Sequence, residues 1–596
     1  MPSRSVKKQT QLQFPPGGSV CPLLRRWYCL LPRFEFGASC FHPIYAKQTQ
    51  FPKTRNEPNP LLQKGLWRLS RLQPAKKQTQ NKPNFQPTAF FLYSVAVAII
   101  LHAEVETGFV RLNQGGIMRR QTRRGFLRSV CAGALGGGML PLMDGCLAAR
   151  SEKVKQRPNV LFLFTDDQRF DTIGALGNRQ VITPHMDALV RMGTTFTRTY
   201  IMGSMTGAVC KPSRAMLLSG QNLFDLVDNG STIPQKEVML PELFRKCGYV
   251  TFGTGKWHNG GEAYRRCFNR GGNIFFGGMC DHYKVPVNDF DPMGNYTKGS
   301  RYYHKGKHSS ELFSDAAVDF LKRYDGKKPF FMYLSYTAPH DPRTAPKKYS
   351  DMYDAAKITL PNNFMPEHPF DNGELRIRDE KLAGWPRTPK EIRGHIADYY
   401  AMITHVDAEI GRVLAALKDS GKWQNTIIVL SGDNGLALGR HGLLGKQNLY
   451  EHSVRVPLVF CGQGIGRGEK RNALCYLHDV YPTLCDLAGI VIPKTVKTVS
   501  LAPIIRAETQ KVRAMIFTAY KDYQRAVRDE RYKLIEYTAN GKRTTQLFDL
   551  DKDTWELKNL AGDMRYSGQV QRLRIELTRW RRSIGDDGKF WKGFSM

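Results

Sequence analysis

Three apolar runs that each end in polar residues constrain the fold more than any other feature of this sequence. They are RPNVLFLFTDDQ (residues 157–168), PFFMYLSYTAPHDP (residues 329–342) and NTIIVLSGDNG (residues 425–435). A continuous apolar run of this length is typical of a strand that is buried on both faces, as in a parallel sheet. The polar residues after each run then mark the carboxyl end of a strand, where such sheets place their ligands.

Helical patterns lie between these runs, for example SSELFSDAAVDFLKRY (residues 309–324) and HIADYYAMITHVDAEIGRVLAALKDSG (residues 395–421). Strands that alternate with helices predict an α/β fold with a large, mostly parallel or mixed sheet flanked by helices. The polar residues at the strand ends should then meet at one edge of the sheet. The residues that we expect to converge there are Asp166, Asp167, His340, Asp433 and Asn434.

The acids and the amide in this set offer only hard oxygen ligands, which suit calcium or magnesium better than zinc. A single pair of this kind is more often a turn or a strand-end cap, but two pairs at matching strand ends favour a metal site. Basic residues elsewhere in the chain could join them: Arg214, Lys256, His258 and Lys446. Each alone would be an ordinary surface or core residue. Together with a metal they would suit a multiply charged oxyanion, whose charge fixed cations stabilise in the transition state.

A short cysteine motif narrows the chemistry. Cys210 opens the string CKPSR, which continues into the apolar stretch that ends LLSG at residue 220. A second string, GYVTFGTGKWH, covers residues 248–258. Together these strings resemble the two signatures of the type I sulfatases of the alkaline phosphatase superfamily, and the resemblance covers roughly residues 157–596. Lys211 and Thr254 stand where the family usually has small or aliphatic residues.

The resemblance implies an alkaline phosphatase-like fold and a sulfuric ester hydrolase, an arylsulfatase or polysaccharide sulfatase. In this family a separate maturation enzyme oxidises the cysteine of the first signature, here Cys210, to formylglycine. The aldehyde hydrates to a geminal diol, so that one hydroxyl attacks sulfur and the other lets the product collapse and release sulfate. A thiol or a plain hydroxyl at this position could not complete that cycle.

By position, the resemblance also implies a ligand set and catalytic roles. A calcium ion, with magnesium as the less favoured choice, would be bound by Asp166, Asp167, Asp433, Asn434 and the formylglycine at position Cys210. The catalytic side chains would be Cys210, Arg214, Lys256, His258, His340 and Lys446. Arg214 would steady the modified side chain and Lys256 would hold sulfate. His340 and Lys446 would form the general-acid pair, and His258 would take a proton when the intermediate collapses.

The N-terminal region accounts for much of the strong positive charge. Residues 1–150 carry 22 Lys and Arg against 5 Asp and Glu, about half of the net +35. The repeated string KQTQ in residues 1–117 indicates an extension that is disordered or wrongly assigned to the protein. Its apolar run at residues 89–101 is shorter than the roughly 20 residues that a membrane helix needs. Residues 118–150 begin MRRQTRRGFLRSV and resemble a twin-arginine signal. We therefore expect a bacterial protein that the twin-arginine machinery exports to the periplasm or beyond.

The rest of the chain divides into a sulfatase catalytic domain, residues 157–503, and a C-terminal subdomain, residues 504–596. The phrases VRDERYKLIEY and TTQLFDLDKDTWELKNLA resemble the closing subdomain of sulfatases, a small antiparallel sheet with a terminal helix. Seven cysteines follow residue 150. The six besides Cys210 could form disulfides in an exported protein or remain buried free thiols.

The substrate is the least constrained feature. A sulfated carbohydrate is the first expectation, and an aryl or choline ester stays open. The loop of residues 271–297 is either a substrate-facing insertion with aromatic residues for stacking on sugars or an ordinary surface excursion. Two other classes remain, a phosphonate or phosphate ester hydrolase of the same superfamily and a non-catalytic homologue that binds sulfated glycans through an unmodified Cys210 site. Nucleic-acid binding is disfavoured because no recognition fold is evident.

Overall fold

The computed structural model describes residues 156–592. The extension, the export signal and the apolar run at residues 89–101 lie outside these residues and stay predictions. Over residues 156–592, no helix combines the length and the apolar character needed to cross a membrane.

The described part of the chain alternates strands and helices. The strands are β1 Asn159–Thr165, β2 Thr194–Phe196, β3 Thr199–Tyr200, β4 Gly203–Ser204, β5 Val250–Lys256, β6 Arg270–Phe275, β7 Phe330–Ser335, β8 Thr426–Gly432, β9 Arg455–Val456, β10 Leu458–Cys461, β11 Glu469–Arg471, β12 Cys475–Tyr476, β13 Ile516–Tyr520, β14 Gln524–Arg528, β15 Tyr532–Ala539 and β16 Lys542–Asp549. The α-helices are α1 Pro184–Met192, α2 Cys210–Ser219, α3 Leu240–Lys246, α4 Gly261–Cys267, α5 Ser309–Arg323, α6 Lys347–Ser350, α7 Pro389–Asp419, α8 Glu451–Val454, α9 Val480–Ala488, α10 Ala502–Ile505 and α11 Ser567–Ile584.

The large sheet has eight strands in the order β11-β2-β10-β8-β1-β7-β5-β6. The five strands from β8 to β6 are parallel, whereas β10 runs antiparallel to both of its neighbours. The three apolar runs form the adjacent strands β8, β1 and β7, so the α/β prediction is confirmed. Their carboxyl ends therefore lie side by side at one edge.

Burial on both faces explains why these strands are continuously apolar. Along β1, Phe162 and Phe164 belong to one hydrophobic cluster and Leu161 and Leu163 to another, because successive side chains point to opposite faces. Helices α5 and α7 cover the second face. Helix α7 begins at Pro389, earlier than its apolar pattern predicts, because Pro occupies the first turn and the preceding residue caps the helix.

The C-terminal subdomain has a five-stranded sheet in the order β16-β15-β14-β13-β4. Strands β13 to β16 are antiparallel, and α11 packs on them through Trp580, whose ring stacks on Phe517 at 4.9 Å. The predicted antiparallel sheet and terminal helix are confirmed. The fifth strand, β4, comes from far earlier in the chain and pairs in parallel with β13. The boundary between residues 503 and 504 stays a prediction.

Candidate active site

The carboxyl ends of β1 and β8 bring the two polar pairs together. These strands are parallel neighbours in which Thr165 lies opposite Gly432. The residues that follow are consequently in contact. The backbone N–H of Asp167 donates to Asp433 Oδ1 at 3.0 Å, and Nδ2 of Asn434 donates to Asp167 Oδ1 at 2.7 Å.

Cys210 is the first residue of α2 and its side chain points into this cluster. Its Sγ lies 3.5 Å from Lys256 Nζ and 3.4 Å from His258 Nδ1. Burial raises the pKa of the Cys210 thiol, although Lys256 and Lys446 act in the opposite direction. The cysteine as encoded is therefore not a ready thiolate nucleophile.

Arg214 lies one helical turn after Cys210 and is fully buried. Its Nε donates to Asp433 Oδ2 at 2.9 Å, and its Nη1 donates to Ser335 Oγ at 2.6 Å and to the carbonyl of Lys256 at 3.2 Å. These contacts join α2 to the ends of β8, β7 and β5. Arg214 therefore holds the carboxylate of Asp433 in position and also contributes positive charge.

Two lysines and a histidine complete the cluster. Lys256, at the end of β5, pairs with Asp166, and both side chains are inaccessible to solvent. Lys446 Nζ lies 2.6 Å and 2.9 Å from the two carboxylate oxygens of Asp167, and His340 Nε2 lies 3.6 Å from Asp167 Oδ2. Together with the contacts of Cys210, Arg214 and Asn434, the structure thus gathers every predicted site residue in one pocket.

The pKa values of two carboxylates in the cluster, Asp166 and Asp433, shift in opposite directions. Burial, reinforced by the neighbouring Asp433, raises the pKa of Asp166 to about 6 even though Lys256 lowers it. For Asp433, burial also favours the neutral acid, but Arg214, Lys256 and Lys446 outweigh it and lower the pKa. Of these two carboxylates, Asp166 therefore takes up a proton more readily than Asp433.

The backbone is strained at two of these residues. Asp167 has φ 65° and His258 has φ 72°, in the left-handed region that residues other than glycine rarely occupy. Such strain costs on the order of 1–3 kcal/mol per residue and persists where the surrounding contacts over-determine the geometry. In this left-handed backbone conformation both side chains point into the pocket.

Two unpartnered oxygens test whether this pocket suits a metal ion. Asp166 Oδ1 and Asn434 Oδ1 are buried and accept no hydrogen bond. Leaving such acceptors unmatched is unfavourable by about 1–3 kcal/mol each, and a cation would satisfy both. Ligand atoms of Asp166, Cys210 and Asp433 also lie within 4.8 Å of one another. The oxygen-rich donor set therefore fits a hard divalent ion.

Sequence reasoning missed the residues that hold the pocket together. Ser213 Oγ donates to the carbonyl of Asp433 at 2.6 Å, and Ser335 accepts from Arg214. Glu380 accepts from the backbone N–H groups of Leu444 and Gly445, both at 2.8 Å. Ser213 lies inside the CKPSR motif and could have been found there. The other contacts join distant segments and leave no local pattern in the sequence.

The loop of residues 271–297 borders the site. A Cβ atom on Gly278 would lie 3.1 Å from His258 Nε2, so the loop passes directly over that imidazole. His282 Nε2 lies 3.0 Å from the backbone carbonyl of His340. Residues 271–275 belong to strand β6 of the large sheet, so this part of the segment is neither an insertion nor a surface excursion. The contacts of Gly278 and His282 place the rest beside the site, and stacking of its aromatic residues on sugars stays a prediction.

The seven cysteines among residues 156–592 are free thiols. This observation decides between the two alternatives left open by the sequence. Most of the other six are buried, and burial raises the pKa of those such as Cys461 and Cys475 to about 12. They behave as small apolar core residues.

Two protein-family models match this chain, one over most of the predicted catalytic domain and one over its C-terminal part. The family model described as Sulfatase matches residues 158–490, and the model described as N-sulphoglucosamine sulphohydrolase, C-terminal, matches residues 439–583. The first match covers more than half of the chain.

Individual proteins match over similar lengths. An N-acetylglucosamine-6-O-sulfatase of Bacteroides thetaiotaomicron is 26% identical in an alignment of length 516 that covers 73% of this chain and 88% of that protein. An arylsulfatase of Clostridium perfringens is 29% identical in an alignment of length 482 that covers 74% of this chain and 98% of that protein. A solved structure of a protein in complex with its substrate D-glucosamine-2-N,6-O-disulfate has a TM-score of 0.61 at 24% identity and covers 72% of this chain and 99% of its own.

Proposed function

Because this chain belongs to the sulfatase family, we propose that it removes sulfate from a sulfated carbohydrate by means of a formylglycine made from Cys210 and a bound calcium ion. That the protein is a sulfatase, an enzyme that hydrolyses sulfate esters of sugars or aryl groups, follows from its family and relatives. The proposal concerns the nucleophile, the metal and the substrate class. The single observation that carries it is the convergence of Cys210 with buried carboxylates and fixed cations.

Asp166, Asp167, Asp433 and Asn434 would hold the calcium ion beside position 210. Formylglycine would supply a hydrated aldehyde as nucleophile, and calcium would supply a fixed double positive charge. The protein's own part is positioning and charge. Arg214 locks Asp433 in place, and Lys256 Nζ, 3.5 Å from Cys210 Sγ, is placed to stabilise negative charge on the sulfate oxygens.

Lys446 and His340 converge on one oxygen of Asp167, and in the proposed reaction they would face the leaving alcohol oxygen. Lys446 Nζ is 2.9 Å and His340 Nε2 is 3.6 Å from the same oxygen, Asp167 Oδ2. A proton donor next to the leaving oxygen lowers the barrier to its departure. On the opposite side, His258 Nδ1 lies 3.4 Å from Cys210 Sγ and is placed to accept a proton from position 210. Burial and the neighbouring Lys256 and Arg214 lower the pKa of His258, which keeps the imidazole neutral and able to accept that proton.

The substrate class rests on the named relatives. The Bacteroides relative is described as an N-acetylglucosamine-6-O-sulfatase, and the solved neighbour is described in complex with its substrate D-glucosamine-2-N,6-O-disulfate. The twin-arginine-like segment at residues 118–150 supports export to the periplasm or beyond, where sulfated polysaccharides are met. The proposed partners are this export machinery and the enzyme that matures Cys210.

Mass spectrometry of the peptide that contains Cys210 tests the proposed nucleophile. In protein from a host that contains a maturation enzyme, we expect this peptide to be lighter by about 18 mass units than the encoded thiol, because formylglycine has an aldehyde in place of the thiol group. The matched peptide containing Cys475 serves as the control and should keep its mass. A fully active preparation in which position 210 remains a thiol would contradict the proposal.

A comparison of hydrolysis rates distinguishes a sulfatase from a phosphonate or phosphate ester hydrolase. The substrates are 4-nitrophenyl sulfate and the matching phosphate and phosphonate esters. We expect the sulfate ester to give the highest kcat/KM. Preference for either phosphorus ester would move the protein to the alternative class.

Calcium should stabilise the chelator-treated protein through the unpartnered oxygens. At a calcium concentration about 100 times Kd, we expect a stabilisation of about 2.7 kcal/mol and a rise in Tm of about 3 °C. Magnesium should give a smaller rise at the same concentration because it demands a tighter octahedral shell.

The variant D166N should lose this response, whereas D319N, at an exposed helical carboxylate, should keep it. Each variant is compared with and without calcium, so that any general loss of stability cancels. A Tm that is insensitive to calcium in the wild type, or an equal rise in D166N, would exclude these residues as the site.

A further inference from the structure

Arg343 differs from most of the cations around the active site. Four of these cations pair with a carboxylate: Arg214 with Asp433, Lys256 with Asp166, Lys446 with Asp167, and Arg378 with Asp341. Lys211 instead donates to the hydroxyl of Ser231. Within residues 156–592, Arg343 makes no such ion pair. Its Nε is buried without a hydrogen-bond partner. A guanidinium left in this state is unusual, because buried polar groups are normally matched.

The position of Arg343 connects it to the reaction. It lies three residues after His340 in the loop that follows β7. Burial lowers the pKa of its guanidinium, whereas the nearby charges of Asp341, Asp167 and Asp398 raise it. Arginine remains charged at neutral pH under such shifts, since its ordinary pKa is far above neutrality. A positive charge is therefore fixed close to Asp167, on the side of the pocket that His340 occupies.

His395 holds this guanidinium in place. Arg343 Nη1 donates to His395 Nδ1 at 3.4 Å, and the same imidazole hydrogen-bonds to the backbone of Leu382. His395 lies in the first turns of α7, a rigid helix. The contact uses only one of the guanidinium donors, and Arg343 as a whole is only half-buried. The guanidinium therefore keeps donors that can bind an anion.

The segment of residues 378–387 borders this side of the pocket. Arg378 pairs with Asp341, and Gln447 Nε2 donates to Asp379 Oδ2 at 2.8 Å. The segment thus contacts both the His340 loop and the loop that carries Lys446. In the proposed reaction these two loops supply the donors to the leaving oxygen. In that reaction the sugar bonded to the leaving oxygen would extend along the same side, where Arg343 lies.

We propose that Arg343 binds a second anionic substituent, a sulfate or a carboxylate, on the sugar whose sulfate ester is cleaved. The planar guanidinium fork matches either group in a bidentate manner. The substrate would then be a sugar with at least two negative charges. This inference rests on the proposed function, because it concerns the leaving alcohol of that reaction.

Matched pairs of substrates test the inference with the matured full-length enzyme. One pair is glucosamine 2-N,6-O-disulfate and N-acetylglucosamine 6-sulfate, which differ in a second sulfate. The other is a 2-sulfated glucuronic acid and its methyl ester, which differ in a carboxylate. In at least one pair we expect the dianionic member to be preferred in kcat/KM. In R343Q that preference should fall by about 10- to 100-fold, through KM, which is the usual effect of losing a hydrogen bond to a charged group.

R343K should retain part of the preference because it keeps the charge without the fork. R323Q provides the matched control, since Arg323 is an exposed arginine paired with Asp319 on helix α5, and it should keep the full wild-type preference. Equal loss on both members of a pair in R343Q, or no preference in the wild type for either dianionic sugar, would overturn the inference.

A binding measurement separates failure of this inference from failure of the proposed function. Titration calorimetry of C210A with the same four sugars requires no turnover. Weaker binding of the dianionic sugars to C210A/R343Q than to C210A supports the inference even if the wild type hydrolyses none of them, in which case only the proposed substrate class fails. Equal binding by the two variants contradicts it.

Discussion

Replacing Cys210 with alanine should lower kcat/KM for sulfate esters by at least about 10⁴-fold, as expected when a covalent nucleophile is removed. The fold should persist, because Cys210 Sγ makes only long contacts, at 3.4 Å and 3.5 Å, and the side chain is small. The measurement is steady-state hydrolysis of 4-nitrophenyl sulfate together with the Tm of the same preparation.

C475A is the matched control for this prediction. Cys475 is equally buried but contacts Thr199 and lies outside the pocket, so its replacement should leave kcat/KM within about twofold, like other small core changes of limited stability effect. Wild-type protein from a host without a maturation enzyme should resemble C210A. More than a hundredth of wild-type activity in C210A would show that the nucleophile lies elsewhere.

Replacing Arg214 with methionine should destabilise the protein and also abolish activity. The change leaves the carboxylate of Asp433, which is inaccessible to solvent, without its cation. Breaking a buried ion pair from one side is unfavourable by about 3–5 kcal/mol. Activity should fall because Asp433 and Lys256 both lose the contact that positions them. Denaturant unfolding in the presence of a chelator measures the loss of unfolding free energy without metal. Initial rates measure the loss of activity.

R525M separates the two effects. Arg525 forms a similarly buried pair with Asp586 in the C-terminal subdomain, 2.6 Å between Nε and Oδ2, and does not contact the pocket. We expect a comparable loss of unfolding free energy in R525M but retention of activity below its unfolding transition. If R214M were as active as R525M at matched folded fractions, Arg214 would be a structural residue only.

Much of the pocket could be predicted because strand periodicity is local. The apolar runs of β1 and β8 end directly at Asp166 and Asp433, and adjacent parallel strands bring such ends together. Arg214 and Lys256 required the family resemblance, because nothing in the local pattern of a lone basic residue distinguishes a buried cation from a surface one.

The parts that could not be predicted depend on contacts between distant segments. Strands β2 and β4 have three and two residues, too few to show a periodicity. Arg343 looks like an ordinary surface arginine in the sequence, and its isolation becomes visible only when the partners of every neighbouring cation are known. The start of α7 at Pro389 was missed because its first turn is polar and set by a cap.

The pairing of β4 with β13 also has a consequence for the order of events during synthesis. Gly203 lies opposite Ala519 in this pairing, so the ribosome must make nearly the whole protein before the strand next to α2 finds its neighbour. Until then the nascent chain keeps an open edge a few residues before Cys210. The thiol of Cys210 is 3% exposed in the finished fold, so it is most accessible to another protein during that interval.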